Sequence, residues 1–380
     1  MKQLLLVITI CTITFTFAQS KQKPKNDARF SLKPETLIGT KIPDLKAHNT
    51  QGDLIKIKDI QQGKYLLLAS GCLTCPHFHR DYPAIEAAFA DYSNKNMAFF
   101  YFYKSLRHPE LNGYVESQNI SERLLHIEVA QKKLQTKVPW ISDTMDDEMK
   151  TALHSNSESV YLMSPEGTIL YASSHINEVE LRSALEKFIG PVKNKTTISS
   201  LNLPRIKRSI LPENITDDWQ VERPTNLKIL TIIPDHPAET YYVKLRAEAD
   251  ASLINNGEGK LFLSFFPDPI YDAHWNNLVP PMKYSLTLPN GVRATPSEAT
   301  AKEGAEDSDT KPRQFLVDIK NAKAGDKIKI SLHYFGCTPT MCKAMTHDYT
   351  ITLTAEDRGA ITAGFNKNRN NTGNRRPARR

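Results

Sequence analysis

Five cysteines in 380 residues are too few for a small fold stapled by disulfides, and one of them, Cys11, falls in an apolar N-terminal stretch. Beyond that stretch no run approaches the roughly 20 apolar residues that span a bilayer. The net charge of +7 is mild, and no basic motif interleaved with aromatics accompanies it, which argues against a specific nucleic-acid surface. Only one Cys-x-x-Cys is present, so a closed zinc site would have to recruit His77 and His79 beside Cys72 and Cys75. The start of the chain has the pattern of an exported protein. Met1-Lys2-Gln3 is a short positive region, Leu4 to Phe17 is apolar or threonine-rich, and Ala18 offers a small residue before a cut ahead of Gln19. Residues 1–18 therefore read as a signal peptide and 19–35 as a polar leader. Its removal leaves two close pairs, Cys72 with Cys75 and Cys337 with Cys342, as expected of a periplasmic or extracellular chain. The length suffices for two domains with cores of their own.

The stretch with most chemistry is Ser70-Gly71-Cys72-Leu73-Thr74-Cys75-Pro76-His77-Phe78-His79. It follows the apolar run Tyr65 to Ala69 and leads into a helix-like segment carrying Ala84, Ile85, Ala87 and Ala88, so the two cysteines sit where a buried strand turns into a helix. A helix amino terminus presents unpaired N–H groups and the positive end of the macrodipole, both of which favour a thiolate. Pro76 suits a first helical turn, and His77 and His79 are nearby cations when protonated. Redox chemistry by Cys72 and Cys75 is the expectation; zinc binding and an inert disulfide are the alternatives.

Around this turn the pattern alternates. Met97 to Tyr103, Val138 to Ile141, Val160 to Met163 and Thr168 to Ala172 read as strands. Asn119-x-x-Glu122 opens a helix with Leu124, Leu125, Ile127, Ala130 and Leu134 inward; Asn177-x-x-Glu180 opens another with Leu181, Ala184, Leu185 and Phe188, which stops at Gly190. Pro83 is expected to kink the helix after the cysteines. The order strand, Cys-x-x-Cys helix, strand, helix, strand, hairpin, helix is that of an α/β thioredoxin fold over residues 36–190.

Ile38-Gly39-Thr40-Lys41-Ile42-Pro43 and the cysteine motif resemble the redoxin branch of the thioredoxin superfamily. Within it, Gly71 to Phe188 is similar to the iodothyronine deiodinase family and its bacterial relatives. The similarity rests on Gly71-Cys72-Leu73-Thr74-Cys75-Pro76-His77-Phe78, on Asp143-Thr144-Met145 and on Val160-Tyr161-Leu162-Met163 with Glu166-Gly167-Thr168-Ile169-Leu170-Tyr171. Cys75 stands where that family has selenocysteine, and Cys72 where it has serine. His108 aligns with the family's active-site histidine, while Ser105 and Leu106 replace its acidic partners and Ser157 its cis proline. The resemblance implies thiol chemistry with His108 assisting proton transfer. Thioredoxins attack through the first cysteine, Cys72, and the deiodinase alignment points to Cys75.

Residues 191–225 read as a linker and 357–380 as a basic disordered tail able to touch an anionic envelope surface. Between them, over 226–356, short alternating runs parted by Pro, Gly and Asn predict an all-β antiparallel sandwich without helices. Ser297 to Arg313 reads as a charged loop. His333-Tyr334-Phe335-Gly336-Cys337-Thr338-Pro339-Thr340-Met341-Cys342 resembles the cysteine loop of the immunoglobulin-like amino-terminal domain of the reductant transporter DsbD. The second pair is thus a redox couple or a structural disulfide, and Met341, Met345, His333 and His347 could add soft ligands for Cu(I). Together the expectation is an exported thiol:disulfide oxidoreductase that acts on protein disulfides or a thiol electron donor and passes electrons between its two cysteine pairs. A reductive dehalogenase or peroxidase acting on a small halogenated or oxidised substrate, a Cu(I) chaperone and a non-catalytic envelope binding protein are the other classes. No organic cofactor and no resident metal is expected.

Overall fold

The computed structural model describes residues 33–106, 114–156, 158–206 and 221–355. The first half contains β1 (Lys46–His48), β2 (Leu54–Lys56), α1 (Ile57–Gln61), β3 (Tyr65–Gly71), α2 (Pro76–Tyr92), β4 (Met97–Tyr103), α3 (Ile120–Leu134), β5 (Trp140–Ser142), α4 (Glu148–Ala152), β6 (Val160–Met163), β7 (Ile169–Ser173) and α5 (Glu178–Phe188). Its strands form one seven-stranded sheet in the order β2-β1-β5-β4-β3-β6-β7. The neighbours β3, β4 and β5 are parallel, while β6 and β7 close the sheet antiparallel. Both faces are covered, which is why the strands read as unbroken apolar runs. Leu67 and Ala69 face one core with Phe78, Ile127 and Leu185; Leu66 and Leu68 face the other with Phe102, Met149 and Leu153. This is a thioredoxin-like arrangement, as expected.

The helix signals hold in detail. The Asn119 side chain accepts from the Glu122 N–H at 2.9 Å, and the Glu122 carboxylate reaches back to the Gln118 N–H at 2.7 Å. Asn177 caps α5 through the N–H groups of Val179 and Glu180. In α3, however, Leu124 and Leu125 are only half-buried, whereas Glu122, Arg123 and His126 are buried. Pro83 lies inside α2, which runs on through it to Tyr92.

The second half contains β8 (Lys228–Pro234), β9 (Val243–Ala249), α6 (Ala251–Asn256), β10 (Gly259–Pro267), β11 (Trp275–Asn276), β12 (Lys283–Thr287), β13 (Arg293–Thr295), β14 (Glu298–Thr300), β15 (Ser308–Asp309), β16 (Arg313–Lys320), β17 (Lys327–Thr338) and β18 (Met341–Ala355). Nine of these strands form an antiparallel sheet in the order β13-β16-β10-β9-β8-β18-β17-β12-β14. The all-β antiparallel expectation is met with one exception: α6 intervenes, capped by Asp250 and ended by Gly257 at φ 75°. The expected loop at 297–313 holds the short strands β14 and β15. Strand β8 pairs with β9 only through Lys228 and Ile229, and with β18 from Leu230 to Pro234, so it passes from one wing of the sheet to the other. Side chains of both wings meet in one core that includes Val243, Leu263, Ile330 and Ile351.

The halves meet at the start of α3. Lys244 on β9 bonds the buried Glu122 carboxylate, Tyr271 donates to the same carboxylate at 3.2 Å, and Gln118 reaches the Tyr349 hydroxyl at 3.4 Å. Because α3 follows β4, this contact is made on the connection that leaves the carboxyl ends of the parallel strands, the edge where β3 delivers the cysteines. Among the described residues no helix is long and apolar enough to cross a membrane.

Candidate functional site

Strand β3 ends at Gly71, and Cys75 takes the N-cap position of α2 in an extended conformation, with Pro76 first in the helix. Cys72 and Cys75 are both thiols, 4% and 0% exposed. The Cys72 sulfur lies 3.5 Å from the Thr74 hydroxyl. Gly71 is required by its neighbour: a Cβ there would lie 2.2 Å from the Trp140 ring. That ring floors the site, held by a 2.9 Å bond from its N–H to the Thr136 hydroxyl and packed against Tyr101 with centroids 4.8 Å apart.

Three buried polar residues assigned no role from sequence, Lys104, His126 and Glu158, lie around the turn. Lys104, directly after β4, is buried and donates to the Ser70 hydroxyl and, at 2.5 Å, to the Asn156 carbonyl. Burial pulls its ammonium down to about 8; attraction to Cys72, and more weakly to Asp147 and Cys75, opposes that, while Lys150 adds to the lowering. The β3–β4 register, with Gly71 opposite Tyr103, explains its position, since it brings the residue after β4 beside Cys72. A lysine ending a wholly apolar strand was the available signal. Tyr103 hydrogen-bonds the buried His126 ring at 3.1 Å. Glu158, ahead of β6, is buried with its carboxylate 2.7 Å from His175 and 3.8 Å from His77. Burial pushes it up to about 7, against the pull of His175.

The two histidines of the motif diverge. His77 is exposed and faces Glu158. His79 is not the nearby cation expected: it is buried against Phe78, and desolvation, with Lys133 contributing, pulls it down to about 4, so it is neutral at pH 7. His108 and Ser157 lie outside the described residues. Asp143 of the Asp-Thr-Met match is a helix cap, accepting from the N–H groups of Met149 and Lys150 at 2.9 and 2.8 Å. Among the described residues no group of three or more His, Cys, Asp and Glu is arranged to hold a metal ion.

The second pair does not sit on a loop. Cys337 and Cys342 are joined by a disulfide and face each other across β17 and β18, next to the hairpin turn at Pro339-Thr340. Cys337 is buried and Cys342 exposed. The His274 N–H bonds the Cys337 carbonyl at 3.0 Å, and the Asn276 amide lies 3.8 Å from the Cys342 sulfur. Side chains alternate along a strand, so the register places His333 on the face of the disulfide, and Met341, Met345 and His347 on the other. His333 bonds Thr346 and His347 bonds Tyr334, so the soft ligands are not gathered at one point.

No protein-family model matches the chain, and no curated protein matches it. Among solved structures it is similar to the thioredoxin domain of a thiol-disulfide oxidoreductase from Bacteroides vulgatus, at 18% identity over 40% of this chain and 97% of that one, with a TM-score of 0.32. It is likewise similar to a thiol:disulfide interchange protein from Bacteroides sp., at 16% identity over 41% of this chain and 92% of that one, with a TM-score of 0.32.

Proposed function

We propose that the chain is an exported thiol:disulfide oxidoreductase that works through Cys72 and Cys75. The observation that carries this reading is the placement of two thiols on a strand-to-helix turn, with Cys75 at the N-cap of a 17-residue helix and the buried Lys104 beside them. The Cys72 thiolate attacks one sulfur of a partner disulfide, forming a mixed disulfide and releasing the partner's other sulfur as thiolate. Cys75, its thiolate favoured by the helix terminus, then attacks Cys72, leaving a Cys72–Cys75 disulfide and a partner dithiol: two electrons pass from the chain to the partner. Cys72 is assigned the attack because it is the less buried of the two.

The Cys337–Cys342 disulfide is proposed to exchange electrons with the first pair, in keeping with the resemblance of its hairpin to the DsbD domain. A short tether supports this: Tyr271 touches Glu122 of the first half, and three residues later His274 bonds Cys337. Export rests on residues 1–18, which lie outside the described residues.

The test is the reduction potential of each pair, read by equilibration in thiol buffers and mass-tagged alkylation. A Cys72–Cys75 couple above about −300 mV is labile and supports the reading. A potential well below that makes it a staple and removes the function. Trapping a mixed disulfide between Cys72→Ser or Cys75→Ser chains and single-cysteine variants of the second pair tests the exchange; pairs that stay independent at every redox poise would end it.

A further inference from the structure

Between the two halves lies a cavity of about 270 Å³. Leu106, Val115 and Met145 line it from the first half, and Ile229, Ile232 and Phe266 from the second. It opens where β8 leaves β9 after Ile229, so the gap between those strands is filled by neither of them. The charged groups on its wall are already engaged. Lys244 is held by Glu122 and Asp268, Arg246 by Glu248 at 3.0 Å, and Glu116 accepts from the Leu106 N–H at 2.8 Å. The Gln118 side-chain oxygen, its amide nitrogen turned to Tyr349, is sealed from the cavity and offers it no acceptor.

We infer that this cavity binds a neutral, largely apolar small molecule. The apolar walls supply the binding energy, and the engaged charges disfavour an ionic ligand. Small-molecule sites are commonly found at domain interfaces, and this volume lies near their lower bound of about 300 Å³, so a one- or two-ring molecule fits better than a length of polypeptide. The site stands on the carboxyl edge of the sheet. The inference goes beyond the oxidoreductase reading and does not depend on it.

The experiment titrates the full chain with 1-naphthylamine, a two-ring fluorophore that is neutral at pH 7. The expected result is saturable binding of one probe per chain. Val115→Trp and Ile232→Trp, which fill the cavity from opposite walls, are each expected to weaken it at least tenfold. Leu278→Ser, at a side chain 74% exposed elsewhere, leaves it unchanged. Thermal unfolding reports whether the variants fold. If both tryptophan variants fail to fold, hydrogen exchange of the unaltered chain decides, with probe-dependent protection expected at residues 115–118 and 229–233. Absence of saturable binding, full affinity in a folded cavity-filling variant, equal loss in Leu278→Ser, or no protection at those residues would overturn the site.

Discussion

At the scale of single residues, Lys104 is the group whose removal tells most. An ammonium held in the interior beside two thiols attracts whichever becomes a thiolate. Lys104→Met is expected to slow alkylation of the dithiol at pH 7 about tenfold, the equivalent of roughly 1.4 kcal/mol; an unchanged rate would detach Lys104 from the chemistry. The same residue leaves a mark on stability. Its folded pKa of about 8 lies below its ordinary 10.5, so the folded chain holds fewer protons than the unfolded chain between those values, and Lys104 makes stability rise with pH across that window. Glu158 has the opposite sign. A carboxyl raised from 4.5 to about 7 contributes stability that is full below pH 4.5 and lost as pH rises through 7. Tm measured from pH 4.5 to 7.5 is expected to fall less steeply in Glu158→Gln than in the unaltered chain, and parallel profiles would refute the assignment.

At the scale of elements, the turn after β3 depends on contact with β5. Gly71→Ala would drive a methyl group into the Trp140 ring, which is fixed on its other sides by Tyr101, Phe78 and the Thr136 bond. A loss of about 1–3 kcal/mol is expected in denaturant unfolding, with Trp140→Leu relieving much of it in the double variant. This contact also marks how far the sequence could be read. Elements set by local signals were legible: the apolar strands of the first sheet, the caps Asn119 and Asn177, and the thioredoxin-like order of elements. Features set by partners distant in sequence were not. Glu122, Arg123 and His126 look like the polar face of a helix, yet they are buried because Tyr103, Asp147 and Lys244 lie against them. Gly336 and Pro339 count among the Pro, Gly and Asn residues that part the runs of the second half, yet β17 does not stop at Gly336. It runs on to Thr338 because Gly336 is a packing glycine, whose Cβ would meet the Met345 sulfur at 2.6 Å. Helix α6 has six residues, too few for a periodicity to show. Of the site, the two cysteines were legible, while Lys104 and Glu158 come from strand ends that only folding brings to them.

At the scale of the molecule, one carboxylate holds two jobs. Glu122 accepts the Gln118 N–H just ahead of the α3 N-cap through one oxygen, and through the other it receives Lys244 and Tyr271 from the second half. Lys244 is 4% exposed and also faces Asp268, whose carboxyl burial pushes up to about 6. An ion pair this deep contributes little net stability when whole, but removing one partner strands the other in the interior, at about 3–5 kcal/mol. Lys244→Met is therefore expected to uncouple the halves, so that one calorimetric unfolding transition separates into two, because each half keeps its own core and loses only the contact between them. Adding Glu122→Gln removes the stranded charge and should recover part of the coupling. If the proposed electron exchange depends on the tether from Tyr271 to His274, the uncoupled variant will also form the trapped mixed disulfide more slowly, while the reduction potential of each pair stays where it was. A single unshifted transition in Lys244→Met would mean that the halves are held together elsewhere, and the exchange between the cysteine pairs would then need another explanation for its geometry.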